Sequence, residues 1–493
     1  MLFNSFSYLI FLPVVAVLFF MLPHRFRWIW LLMVSCFFYM YFIPVYILIL
    51  FVTILIDYVA GIYIESAIGK RRLIYLLLSI ISTCLVLFIF KYYNFFITNF
   101  NELSSFFHWN YSLNILKIIL PVGLSFHTFQ SLSYVIEVYR GKQKAEHHFG
   151  IYALYVMFFP QLVAGPIERP QNMLHQFHDI KTFDYMSAVS GLRQILYGLF
   201  KKVFIADRLA IIVNQVYNSP TNFHGLPLIV STVFFAFQIY CDFSGYSDIA
   251  IGSAKIMGFK LMDNFDRPYF SKSLGEFWRK WHISLSTWFK DYLYIPLGGN
   301  RVSRIKWIRN IIITFTVSGL WHGANWTYLI WGMLHGVFMV IESLVVAALN
   351  KYMMVASATL RCFLDRVKTF GVFAFVSFCW IFFRANSISD AFLIITNMFS
   401  GLHEQLSYFG MFVINKISLG GLLDKIWSGV SKFDLIISII TVLGFVFVES
   451  GLKLFNYVLG QNKVLRWSVY YIAIILILLF GVFDNAQFIY FQF

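Results

Sequence analysis

Long apolar runs separated by short polar or basic stretches fill the chain from its first residues onward. A helix crossing the hydrocarbon core of a bilayer needs roughly 20 apolar residues. Runs of that order lie around 2–23, 28–43, 44–64, 73–98, 115–139, 228–258, 310–328, 330–349, 369–384, 434–450 and 467–483. They predict about eleven transmembrane helices and an all-α, polytopic integral membrane protein. Two other apolar stretches, 150–164 and 187–216, are interrupted. They predict re-entrant, interfacial or protein-buried segments, because irregular backbone survives at membrane depth only where protein or water covers it. The first run begins MLFNSF, with no basic leader and no small-residue cleavage site, and reads as a retained helix. No internal repeat is visible, which weakens an inverted-repeat transporter reading.

Composition agrees with the pattern. Of 493 residues 60% are apolar and 12% charged, against about 45–50% and about 25% in soluble domains. A soluble chain of this size could not keep so much apolar surface from water. The formal net charge of +15 is read as cytoplasmic loops facing anionic lipid rather than as a nucleic-acid surface. Basic clusters at 24–27, 70–72 and 140–144 are set against a segment 100–114 without Lys or Arg. The asymmetry predicts an outside N-terminus, an outside 100–114, and cytoplasmic basic loops. The segment 263–309, rich in Lys and Arg, is expected on the cytoplasmic side too. The five cysteines, Cys36, Cys84, Cys241, Cys362 and Cys379, have no metal-ligand or redox spacing. His175 and His178 sit in a polar stretch without an acidic ligand beside them, so no metal is predicted.

Chemistry is sought where polar groups enter apolar sequence, since ionisable residues in a membrane are costly. In SGLWHGANW (318–326) a histidine, His322, lies inside an apolar run. Helical spacing puts Ser318 and Asn325 on its face, where either could fix its tautomer. Gly319 and Gly323 would let a substrate or another helix come close. Desolvation keeps such an imidazole neutral, the form a general base requires. A helix-packing histidine is the structural alternative.

In GEFWRKWHISLSTWFKDYLY (275–294) the residues Trp278, Trp281, His282, Leu285, Phe289 and Tyr292 fall at helical spacing. They predict one amphipathic helix with His282 in its apolar stripe, or an interfacial aromatic belt. In YCDFSGYSD (240–248) the acids Asp242 and Asp248 interrupt an apolar helix. They need a cation or amide partner, with Arg267 or Arg279 as candidates, and a structural network is as good a reading as catalysis. In FFPQLVAGPIERP (158–170) three prolines and a glycine forbid a continuous helix, which reads as a re-entrant loop lining a cavity or as an ordinary interfacial turn. His127 and His335 are read as packing residues.

These stretches, with LPVGLSFHTFQSLSYVIEVYRG (120–141), NFDRPYFSKSLGEFWRKWHISLSTWFKDYLYIPLGGNR (264–301) and FIYFQF (488–493), closely resemble the membrane-bound O-acyltransferase superfamily. The likeness is greatest to the bacterial branch that acylates cell-envelope polymers, which implies residence in the bacterial inner membrane. It implies one domain over 1–493, with N-terminal helices at 1–140, a core at 141–340 and C-terminal helices at 341–493. The fold implied is a ring of helices around a central tunnel.

By position, His322 matches the family's intramembrane histidine, the presumed base, and His282 its second histidine. Trp321, Trp281, Ser318, Asn325, Asp242 and Asp248 would support the tunnel. The resemblance further implies an acyl thioester donor, acetyl-CoA or an acyl carrier protein, and no bound cofactor. It also implies an extracytoplasmic partner acyltransferase that handles the glycan. Arg279, Lys280, Lys290, Arg301 and Arg304 could dock the donor, or simply face anionic lipid. Transfer of D-alanyl to teichoic acid-type polymers is the second reading. A non-catalytic transporter or scaffold is the rival of another class.

Overall fold

A computed structural model describes the chain except for residues 110, 119, 164, 354–357, 452–459, 461, 484–488 and 490–493, and without the side chains at 346–353 and 358. FIYFQF thus lies outside the described residues apart from Ile489. Every regular element among the described residues is helical. Seven helices there are long and apolar enough to cross a membrane: Pro44–Ser66, Lys70–Phe106, Leu226–Ile256, Trp326–Val345, Thr359–Arg384, Lys432–Ser450 and Lys463–Phe480. Phe6–Met21 is apolar but only 16 residues long.

The run at 115–139 becomes a helix only at Leu124–Tyr139, behind Pro121 and the left-handed Gly123 (φ 78°). That helix is buried nearly throughout, which explains how an apolar run tolerates His127, Gln130 and several hydroxyls. The interruption expected at 150–164 is present. Helix Phe149–Met157 stops at Phe158 (φ −52°, ψ 112°), and a short turn Phe159–Leu162 restarts with Pro160 in its first positions, where the missing proline N–H costs nothing.

Two compact units divide the chain. The first comprises Met1–Ile195 and Tyr246–Asn264. In it, helices Ile47–Ser66, Lys70–Leu87 and Leu124–Tyr139 pack together. Buried Asp57 accepts hydrogen bonds from Ser79 Oγ (2.6 Å) and Thr83 Oγ1 (3.1 Å), tying the first two. Buried Glu168, the acid of FFPQLVAGPIERP, accepts from the Met262 backbone amide and from Asn172 Nδ2. A buried carboxylate survives because such donors replace its water.

The second unit comprises Leu196–Gly245 and Phe265–Phe493 and carries both histidines of interest. Among its elements are α1 (Leu226–Ile256, whose last turns belong to the first unit), α2 (Leu274–Lys280), α3 (Ile283–Phe289), α4 (Arg304–His322), α5 (Trp326–Met353) and α6 (Ala358–Arg384). Aromatic rings dominate its core, with Trp281, Trp331 and Trp380 almost wholly buried. Large rings bury the most apolar area per residue and interlock edge to face.

Candidate active site

The site grows from the way α4 and α5 meet. Their sequences hold Gly319, Gly332 and Gly336 where the two helices touch. A Cβ on Gly319 would lie 2.3 Å from the Tyr328 carbonyl oxygen, and one on Gly332 would lie 2.3 Å from that of Phe315. A Cβ on Gly323 would strike the Tyr328 ring at 2.2 Å. The small residues are therefore spent on close helix packing. Of the two occupants that the glycines allowed, substrate or helix, the second takes the space.

The helix does not run on through the motif. Its C-cap Gly323 is extended (φ −166°, ψ 150°), and Asn325 Oδ1 accepts the Thr327 amide at 3.1 Å at the start of α5. This corrects the placing of Asn325 on the face of His322. The chain turns between them, and the asparagine caps the next helix, a common use of Asn. Ser318 stays on α4, one turn before His322, and is buried.

His322, the last residue of α4, is 3% exposed. Its ring stands edge to face against Trp331 (centroids 5.0 Å apart), Trp321 (4.9 Å) and Phe383 (5.4 Å). Trp321 also lies 6.0 Å from the His282 ring, so one indole neighbours both histidines.

His282 arrives by a different device. The single amphipathic helix expected over 275–294 is broken: α2 ends at Lys280, α3 begins at Ile283, and His282 sits between them at φ 42°, ψ 56°. A non-glycine residue there carries strain of about 1–2 kcal/mol. The kink turns both Trp281 (1% exposed) and His282 (0%) fully inward, which one straight surface helix could not do. Trp281 rests on Trp380 and Phe265, each 5.1 Å away, and its carbonyl accepts Ser286 Oγ at 3.0 Å. The His282 ring meets Phe243 edge-on at 4.5 Å. Burial in this aromatic setting drives its pKa well below the ordinary histidine range, so the ring is neutral.

A cavity of about 330 Å³ lies alongside. Trp278, Leu285, Phe289 and Phe315 make it apolar, Ser318 sits in its wall, and Arg279 and Lys290 give it positive charge. Two of the five cations predicted to dock a donor are thus at the cavity. Lys280 instead pairs with Glu276 at 2.7 Å, and Arg301 and Arg304 are exposed outside the lining.

The acids of the third motif sit elsewhere. Asp242 pairs with Lys202 Nζ at 2.6 Å and accepts the Ile489 amide at 2.8 Å, while Lys202 also binds Asp207 Oδ1 at 2.8 Å. This corrects the expected pairing with Arg267 or Arg279. The cation comes from the interrupted stretch FKKVF and is almost fully buried. Asp248 belongs to the first unit, where it accepts Gln194 Nε2 at 3.1 Å. The structure therefore gathers His322, His282, Trp321, Trp281 and Ser318, while Asp242 is tied into a buried ion network.

Sequence reasoning missed Trp331 and read Trp278 only as part of an apolar stripe. Trp331 packs on His322, and Trp278 forms cavity wall. Both touch His335 (5.1 and 5.0 Å), which is the buried packing residue it was read to be. Trp331 and His335, four residues apart, share one face of α5, and that spacing was the available signal.

Two buried histidines thus stand beside a cation-edged cavity in a chain with membrane-length helices. The chain belongs to the membrane-bound O-acyltransferase family, whose model matches residues 143–383 and so includes both histidines. It is an acyltransferase. Over 425 residues it is 39% identical to the probable alginate O-acetylase AlgI of Pseudomonas aeruginosa, covering 85% of this chain and 77% of that protein. The peptidoglycan O-acetyltransferase of Helicobacter pylori is 35% identical over 397 residues (75% and 73%). The teichoic acid D-alanyltransferase of Streptococcus thermophilus is 29% identical over 238 residues (45% and 56%).

Proposed function

We propose that this protein takes an acetyl group from a cytoplasmic thioester and delivers it across the inner membrane for O-acetylation of a cell-envelope polysaccharide. The observation that carries the reading is the placing of His322 and His282 against one indole, Trp321, beside a cavity with Arg279 and Lys290 in its lining. The acceptor hydroxyl attacks the thioester carbonyl. His322 removes the hydroxyl proton as the C–O bond forms and the C–S bond breaks, and that proton leaves with the thiolate. His282, neutral, donates a hydrogen bond to the carbonyl oxygen as negative charge develops there. Arg279 and Lys290 attract the phosphates of CoA or the acidic face of a carrier protein.

In this scheme the N-terminus and 100–114 face outward, 263–309 faces the cytoplasm, and about eleven membrane passes surround the path. An extracytoplasmic acyltransferase receives the group and modifies the glycan. Acetyl is favoured over D-alanyl because the two O-acetylating relatives match at higher identity and over more of this chain than the D-alanyltransferase.

Sided membrane vesicles test the direction. Labelled acetyl-CoA added outside inside-out vesicles should supply the acyl group, while sealed right-side-out vesicles should not use it. Equal use by both preparations contradicts a cytoplasmic donor. For topology, Ser104 is a poor labelling site because it is buried, so exposed Ser105 serves, with Ser303 as its counterpart. Cysteine at 105 should react from outside and cysteine at 303 only from the cytoplasm. Outside labelling of 303 overturns the orientation.

A further inference from the structure

The rings that hold the histidines lean in turn on one more, Trp380 of α6, which is buried. Its indole stacks on Trp331 (centroids 5.6 Å apart, planes 19° apart) and stands edge to face against Phe383 at 5.1 Å. Both of those rings pack on His322. Trp380 also meets Trp281 at 5.1 Å, the residue before His282 at the strained joint. It thus reaches His322 through two neighbours and His282 through a third.

Packing alone fixes the direction of such a ring weakly, because dispersion is spread over many small contacts. A hydrogen bond is directional. Trp380 Nε1–H donates to the Tyr269 hydroxyl oxygen at 3.1 Å, and that hydroxyl donates to the Ala236 carbonyl of α1 at 2.6 Å. Buried hydrogen bonds in series polarise and strengthen one another. Tyr269 is itself held. It is buried in the short turn Pro268–Phe270, with Phe373 edge-on at 5.2 Å. By contrast, the buried N–H groups of Trp278 and Trp331 meet no acceptor among the described residues. Those two rings are held by packing, and Trp380 carries a directed bond that ties the cluster to α1.

We infer that Trp380, pinned by Tyr269, is a positioning residue for acyl transfer and sets the ring of His322 and the joint of His282 from a single point. This role rests on the catalytic reading of the two histidines. Neither Trp380 nor Tyr269 is in the lining of the cation-edged cavity. Loss of the pin should therefore slow turnover without weakening the donor.

Tyr269→Phe keeps the ring and removes the acceptor. Turnover of labelled acetyl-CoA by inside-out membrane vesicles, per molecule of protein, tests it. The variant should lower kcat about tenfold, because small misplacements of reacting groups are costly, and leave KM for acetyl-CoA unchanged. Trp380→Phe should lower kcat as well. Since Tyr269 acts through the indole N–H, adding Tyr269→Phe to Trp380→Phe should cost no further kcat. Wild-type kcat per molecule in Tyr269→Phe, with only protein level or melting temperature reduced, would make the pair merely structural and overturn the proposal. Losses that multiply in the double variant would overturn it too. His322→Gln in the same vesicles separates this role from the reading beneath it. If that variant is inactive while Tyr269→Phe turns over normally, the positioning role alone falls. If His322→Gln transfers at the wild-type rate, the catalytic reading falls and takes the positioning role with it. Should Trp380→Phe fail to fold, Tyr269→Phe still decides through its kcat and KM.

Discussion

His322 closes a 19-residue helix, while His282 joins two helices of seven residues each. The first is presented by regular structure. Its helix is fixed by backbone contact with α5 at Gly319 and Gly332, and the ring is placed where the helix stops. The second is presented by strain, with its backbone held in the left-handed region by the aromatic rings around it. A group placed by a rigid element holds its geometry cheaply. A group placed at a strained joint needs its surroundings to over-determine it. The difference suggests that His322 tolerates chemical replacement without loss of fold, and that His282 couples activity to folding.

The largest expected effect separates the two in cells. His322→Ala should cut polymer acylation at least ~10²-fold with protein level kept, since a general base contributes about 10²–10⁴-fold. His282→Ala should lower turnover by less, but by more than it lowers the amount of protein. Equal losses of activity and protein at His282 would reduce it to a packing residue.

Next comes the rigid frame itself. Gly319→Ala and Gly332→Ala put a Cβ against carbonyl oxygens that cannot move without shifting a helix, at a cost of about 1–3 kcal/mol. Gly371 on α6 has nothing within 4 Å of such a Cβ. Gly371→Ala should therefore be neutral or slightly stabilising. Thermal unfolding in detergent reads all three, and a neutral Gly319→Ala contradicts the tight α4–α5 crossing.

The strained joint has its own signature. His282→Gly and His282→Ala lose the same ring, but glycine accepts φ 42° freely. The glycine variant should be the more stable by about 1 kcal/mol. If alanine is the better residue there, the left-handed backbone is not what the ring imposes.

The smallest effect is at the cavity mouth. Arg279→Glu with Lys290→Glu should raise the apparent KM for acetyl donor roughly two- to fivefold, less so as salt rises. Arg301→Glu, outside the lining, should change nothing.

Much of this was legible in sequence. Apolar runs of membrane length marked the class, and a lone histidine within one of them marked the candidate site. The kink at His282 was not legible. The stripe from Trp278 to Tyr292 keeps helical spacing, and one left-handed residue hardly disturbs such a pattern. Glycines beside His322 announced a close approach but could not say of what, and only the Tyr328 carbonyl answers that. Lys202 escaped because an ion pair between distant stretches leaves no local trace.

The central claim is that His322 is a proton acceptor rather than a wedge between helices. Glutamine keeps its polarity and hydrogen bonding but takes no proton at neutral pH. Purified His322→Gln should unfold at nearly the wild-type temperature and bind acetyl donor normally. Its acyl transfer should be at least ~10²-fold slower. Transfer at close to the wild-type rate would make the histidine structural and the mechanism wrong.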